Sequence, residues 1–381
     1  MASGGVSVVR IFSSRIICGA GAFSGEIAVE NGRIAHVEPC GRASAGAVDW
    51  SGDDLIPGLV DIHTDNLEKH FMPRPGAIWD GVGAALAHDA QVAGAGVTTV
   101  LEALSFTGGK NGLDREMALA AMIAGLDAAK DALRIDHRLH LRCQGSTPTL
   151  LELMAPHVSH PGVQMLSIMD RRRDIASLER HADALRREGV SDAEIAADFA
   201  KLSAGQDWDA TPANRQHVAE VAFKIGVPLA SHDDTTAEDV DLGAFEGATI
   251  CEFPMTRIAA DRARECGMTI VMGGPNFVRG GSYTGNLSAR EVAEAGLLDV
   301  LCSDYIPQSM LRAAYMLMDE PFAWEPSRAI ATVTANAAAC AGLADRGDLK
   351  PGLCADFVRV RRGQSGWPAA REVWRLGRRV A

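Results

Sequence analysis

Between Leu55 and Tyr305 the sequence repeats one arrangement: a short apolar run with polar residues near its end, in most cases followed by a loop and an Ala- or Leu-rich amphipathic stretch. The runs are LIPGLVDIH, VTTVLEAL, RLHLRCQ, VQMLSIMD, VPLASHD, TICEFPM, MTIVMGG and DVLCSDY, eight in all. Strand-like and helix-like segments in alternation build a parallel sheet, and eight such units close into a (β/α)8 barrel of the TIM type. An open doubly wound sheet is the rival. Its glycine fingerprint for a dinucleotide is missing near the first run.

The ends read differently. From Val6 to Asp54 short β-type runs alternate with turns, and Glu-Asn-Gly-Arg (residues 30–33) carries an Asn-Gly hairpin signal. From Leu353 the chain returns to that style in LCADFVRVRRG and REVWRLGRRVA. The expected organisation is therefore a small β-sandwich from residues 1–54 and 351–381 around an α/β barrel over 55–350. The charged, Ala/Leu-rich segment from Arg171 to His217 reads as a helical insertion over the barrel mouth.

Composition narrows the functions. A net charge of −12 argues against a nucleic-acid partner, since phosphate backbones select basic surfaces. No apolar run approaches the ~18 residues needed to cross a bilayer, and no secretory signal is read at the N-terminus, so a cytoplasmic location is expected. The eight cysteines are scattered singly without a CxxC pair, which predicts buried free thiols rather than a zinc ribbon.

In a barrel of this kind the chemistry belongs at the C-terminal ends of the strands. Those ends carry His63 and Asp65, then His140, Arg142 and Gln144, then Asp170, then His232, Asp233 and Asp234, then Glu252, and finally Asp304. Residues two apart on a strand share a face, so His63 and Asp65 converge, as do His140, Arg142 and Gln144. Imidazoles and carboxylates from separate strands suit Zn²⁺, Mn²⁺ or Fe²⁺, and such an ion brings the pKa of its water to about 7. Asp304 is placed either to ligate that ion or to take the proton from that water. Isolated histidines such as His157, His160 and His181 read as solvated or capping residues.

Four longer stretches carry a resemblance. PGLVDIHTDNLEKHFMPRPG, LASHDDTT, MGGPNFVRGGSYTGNLSA and LLDVLCSDYIPQSML resemble the α-D-ribose 1-methylphosphonate 5-triphosphate diphosphatases of phosphonate degradation, within the amidohydrolase superfamily. The likeness spans nearly the whole chain. It implies a metal-dependent barrel with a small β-sandwich, acting by water attack on a triphosphate with release of pyrophosphate. It makes His63, Asp65, His232, Asp304 and Gln144 the metal candidates, with Asp304 catalytic. Lys69, Arg74, Arg142, Asn276 and Arg279 become substrate-binding candidates, and Gly280 and Gly281 are expected to bring backbone N–H groups to an anion. The implied partner is a small phosphorylated ribose-type substrate, and barrels of this type often pair as homodimers.

Two departures qualify the resemblance. The family has a glutamate where this chain has Gln144, and an amide lacks the negative charge that steadies a metal pair. Of one ion or two, one is therefore expected, with zinc ahead of manganese and iron. The family also continues its Met-Asp with a histidine, where this chain reads Arg171, Arg172 and Arg173. These changes keep two other readings open: an amidohydrolase or deaminase with a different substrate, and a non-catalytic homologue that binds a phosphorylated ligand.

Overall fold

In the computed structural model the described residues are 8–74, 76–106, 115–170, 182, 185–186, 189–203, 206–282 and 285–381. The N-terminal strands are β1 (Val9–Cys18), β2 (Gly21–Glu30), β3 (Arg33–Pro39), β4 (Val48–Asp49) and β5 (Asp54–Pro57). Eight barrel strands follow: β6 (Leu59–Thr64), β7 (Val97–Phe106), β8 (Asp136–Gln144), β9 (Val163–Met169), β10 (Leu229–His232), β11 (Ile250–Glu252), β12 (Thr269–Gly273) and β13 (Val300–Cys302). The chain ends in β14 (Phe357–Arg362), β15 (Pro368–Arg375) and β16 (Arg378–Arg379).

Each of the eight apolar runs supplies one barrel strand, the first of them only from Leu59 onward. Neighbours pair in parallel in chain order from β6 to β13. The ring is drawn together at the top, where Thr64 bridges Asp304 in parallel. Inside it Val60, Ile62, Leu101, Met165, Ala230, Ile250, Val271 and Val300 form a dry plug, joined by Ala337 and Ala338 of helix Ala335–Cys340. A larger apolar layer lies between the strands and the surrounding helices. The plug fills the barrel floor and leaves only the strand tips for polar work.

The two ends of the chain meet in one further eight-stranded sheet. Its order is β16-β15-β14-β5-β1-β2-β3, with β4 also on β1. It packs around Trp50, Phe357, Ile11, Ile27 and Leu55. The Asn31–Gly32 hairpin is present, both residues having positive φ as a type I′ turn requires. Strand β5 belongs here too, pairing with β1 and β14.

Residues 171–181, including Arg171, Arg172, Arg173 and His181, lie outside the described residues. The later part of the expected insertion contains helix Asp192–Ser203 and the start of helix Thr211–Ile225. All eight cysteines are free; Cys40 and Cys266 are half-buried and the other six buried. Among the described residues, no helix is long and apolar enough to cross a membrane.

Candidate active site

Three strand ends in the mouth share an unusual backbone. Asp233 follows β10 with φ of 63°, Phe253 follows β11 with 54°, and Asp304 stands just past β13 with 53°. Left-handed backbone is uncommon outside glycine and strained for an aromatic residue. In each case the N–H still reaches the neighbouring strand: Asp233 donates to the Glu252 carbonyl, Phe253 to Val271 and Asp304 to His63. The ladder therefore continues one residue further while the side chains are re-aimed into the mouth.

At the centre lie His63 and Glu252. His63 is 1% exposed, and its Nδ1 is 2.7 Å from Oε1 of the fully buried Glu252. Burial disfavours charge on His63, yet the Glu252 carboxylate outweighs it and lifts the imidazole pKa to about 10. Burial likewise opposes ionisation of Glu252, but the histidines around it hold its carboxyl well below the usual range. His63 Nε2 stands 3.7 Å from Asp65, which accepts a 2.8 Å bond from Arg142. Against the cost of burial, that guanidinium keeps Asp65 strongly acidic.

Register explains how His63 reaches this position. Val60 and Ile62 already face the barrel interior, so strict alternation would turn His63 outward. A register irregularity between Asp61 and Thr64 breaks the alternation. Phe253 then wedges against two imidazoles, edge-on to His63 at 4.9 Å and to His232 at 5.2 Å between ring centroids. His140 plays a supporting part. Its Nδ1–H donates to the Ile62 carbonyl and its Nε2 accepts from Ser167, an assignment fitting a neutral ring whose pKa burial lowers to about 3.

The residues fit a divalent cation. Two groups, His63–His232–Glu252 and His63–Asp65–Asp304, each offer three ligand atoms within 4.8 Å of one another. Both ring nitrogens of the buried His232 and the Oε2 of Glu252 lack a hydrogen-bond partner, although His232 Nδ1 comes within 3.0 Å of Asp233. Unsatisfied nitrogen and oxygen donors facing one another in a buried site are costly, and a cation removes that cost.

A cavity of about 250 Å³ opens above this centre. Of the candidates named from sequence, His63, Asp65, Arg142, His232, Asn276, Arg279, Gly281 and Asp304 line it. Lys69 stands beside it, donating to the Tyr305 carbonyl with its ammonium 5.0 Å from the Tyr305 ring centroid. Arg74 is exposed in a turn closed by Ala77 and is not part of the lining.

Gln144 is fully buried and off the lining; its amide nitrogen donates to Ser146, while Oε1 has no partner. The anion cradle expected of Gly280 and Gly281 is corrected. Gly280 caps helix Gly274–Arg279 with φ of 86°, and both N–H groups are committed to the helix end, Gly280 to Asn276 and Phe277, Gly281 to Asn276. Asn276 is itself tied on, its side chain bonding the backbone of Leu287 and Ala289.

Glu252 carried too little weight in the sequence reading, which noted it at a strand end without placing it in the site. Phe253, Asn286 and Tyr305 escaped it altogether. Asn286 presents a buried Oδ1 without a hydrogen-bond partner toward this cavity.

Comparison with known proteins shows the family. The amidohydrolase family model matches residues 55–370. The chain belongs to the amidohydrolase family. This amidohydrolase is 36% identical over 365 residues to the α-D-ribose 1-methylphosphonate 5-triphosphate diphosphatase of Escherichia coli K12, covering 94% of this chain and 96% of that protein. Among solved structures, N-acetyl-D-glucosamine-6-phosphate deacetylase from Mycobacterium smegmatis superposes with a TM-score of 0.64 at 16% identity, over 98% of this chain and 100% of that one. A 5-methylcytosine deaminase from Klebsiella pneumoniae gives 0.63 at 15% identity, over 98% and 97%. These structural likenesses speak for the fold alone.

Proposed function

We propose that the protein is a metal-dependent hydrolase that cleaves a phosphoanhydride of a ribose-linked triphosphate and releases pyrophosphate. The observation that carries this reading is the 36% identity to the Escherichia coli diphosphatase over almost the full length of both chains. His63, Asp65, His232 and Asp304 would hold the cation, with Glu252 beside them. When bound, a divalent ion supplies Lewis-acid stabilisation of the phosphoryl oxygens and acidifies water.

The chain's own groups provide the rest. Asp304 accepts the proton of the attacking water; burial raises its carboxyl pKa to about 6, close to the range where a general base works at neutral pH. Arg142 and Arg279 face the same cavity and meet phosphate oxygens through charge-assisted hydrogen bonds. Lys69 adds positive charge at the rim. Incubation of the zinc-, manganese- or iron-loaded protein with ribose 1-methylphosphonate 5-triphosphate is expected to release pyrophosphate. No release with any of these ions refutes the reading.

A competing reading keeps the family and changes the bond to an amide or amidine carbon. Gln144 motivates it, since an amide stands where the resemblance implies a carboxylate. Ammonia or carboxylate release from a nucleoside and amide panel, without pyrophosphate release from the triphosphate, selects that reading. Ligand binding without turnover of either class selects a non-catalytic homologue.

A further inference from the structure

Behind the turn that carries Asp65, a second set of buried polar groups runs away from the cavity. Gln91 Oε1 lies 2.8 Å from His70 Nε2 and 2.8 Å from Asn66 Nδ2. Asn66 Nδ2 is also 3.0 Å from His88 Nδ1, and His88 Nε2 is 2.9 Å from Glu102 Oε1. His137 Nδ1 meets the same Glu102 oxygen at 2.7 Å, and its Nε2 lies 3.2 Å from Asp89, which Arg134 holds at 2.8 Å. Asn66, His88 and Glu102 are all within 2% of full burial.

The ligand atoms of His88, Glu102 and His137 lie close enough to raise the thought of another metal site. The distances decide against it. Nitrogen and oxygen ligands at ~2.1 Å around a tetrahedral ion stand about 3.4 Å apart, whereas both imidazoles here sit within 2.9 Å of one carboxylate oxygen. All four ring nitrogens already have partners. These are hydrogen bonds.

Their directions follow from chemistry. An ionised carboxylate only accepts, so His137, with a carboxylate on each nitrogen, carries both hydrogens. Its pKa agrees: burial opposes the charge, but Asp89 and Glu102 raise it to about 9. His88 must carry its hydrogen on Nε2, facing Glu102, and accept at Nδ1 from the Asn66 amide. Asn66 thus uses both its hydrogens, on His88 and on Gln91. The reversed amide would need a second hydrogen on His88, placing another imidazolium 5.7 Å from the His137 ring and on the same carboxylate oxygen.

Asn66 directly follows Asp65, whose own N–H donates to the Asp304 carbonyl at 2.6 Å. We infer that Asn66, held by a neutral His88 and by Gln91, is a positioning residue for Asp65: the chain anchored on His137 fixes the turn from behind, while the Asp304 backbone fixes it from the cavity side. This rests on the reading of Asp65 as a metal ligand.

The test uses the full-length protein with ¹⁵N-labelled histidine and Zn²⁺ as the probe. Long-range proton–nitrogen correlation at neutral pH is expected to show His88 protonated only on Nε2 and His137 on both nitrogens; a hydrogen on His88 Nδ1 overturns the chain. Asn66→Asp sets an acceptor against His88 Nδ1, so His88 is expected to gain its second hydrogen. Zinc affinity, measured by chelator competition, is then expected to fall about 10–100-fold, the scale for groups that orient a ligand. Gln91→Leu, which removes one of the two acceptors, is expected to show a smaller loss of the same kind and serves if Asn66→Asp does not fold. A lower melting temperature with unchanged zinc affinity in either folded variant overturns the inference. A wild-type protein that binds no zinc refutes the site reading instead, so the two failures are distinguishable.

Discussion

His63 Nδ1 and Glu252 Oε1 lie 2.7 Å apart although 189 positions separate them in the chain. The other Glu252 oxygen has no hydrogen-bond partner and stands 3.8 Å from both His140 and His232. One carboxylate thus faces three imidazoles from three strands, which makes it the electrostatic centre of the mouth.

Replacing that charge while keeping its shape isolates its effect. Glu252→Gln is expected to lower zinc affinity about 10–100-fold, measured by chelator competition, because the partner orienting His63 loses its charge. Unchanged affinity would remove Glu252 from the centre.

Asp304→Asn is expected to reduce kcat for pyrophosphate release by about 10²–10⁴-fold, the range attributed to a general base. Asn tolerates the left-handed backbone at this position, so the substitution adds little strain. Elemental analysis of the same variant separates the roles: retained metal with lost turnover marks a base, and lost metal marks a ligand.

Gln144 Oε1 is buried without a partner. A carboxylate there needs a cation to offset its burial. Gln144→Glu is therefore expected to raise tightly bound metal from about one toward about two ions per chain. Its melting temperature should fall under chelation and recover with added zinc. Metal content equal to that of the wild type would refute this.

The His137–Glu102 pair gives a pH signature. His137 has a raised pKa, so its contribution is whole below 6.5 and is lost as pH climbs through about 9. Burial opposes ionisation of Glu102, but the His137 charge and the hydrogen bonds from His88 and His137 lower its pKa, so its contribution is whole above 4.5 and is lost only as pH falls well below that. Between pH 4.5 and 6.5 both are intact. The stability gap between the wild type and His137→Gln is expected to shrink by up to about 3 kcal/mol from pH 6.5 to 9, measured by urea unfolding. A gap independent of pH over that range contradicts a charged His137.

The barrel was legible because each strand needs an apolar run, and eight runs with polar ends leave few other ways to bury them. That His63, Asp65, His232 and Asp304 come together in the mouth was legible for the same reason: position at a strand end is a property of the sequence. Glu252 stood in the same kind of position, but its weight comes from facing three other strands, which linear spacing does not encode. Gly280 and Gly281 misled because a glycine pair looks the same whether it opens a cradle for an anion or lets a helix end in the left-handed region. The Asn66–His88–Glu102–His137 chain was invisible for a further reason. His137 lies near the start of β8, at the end of the barrel where no chemistry was sought, and His88 sits on a helix whose register to β7 only packing sets.

The seam between β5 and β14 has a consequence for how the protein is made. Phe357–Val360 pair with Asp54–Pro57, so a ribosome that has reached Lys350 has delivered every barrel strand yet left β5 with an open edge. Trp50 meanwhile waits for Phe357 and Trp374, the rings that cover it. An exposed strand edge beside uncovered aromatic surface is a template for mispairing. The last thirty or so residues therefore act as a latch on the nascent chain, and a message truncated within them yields a nearly complete barrel destined for chaperones or proteases.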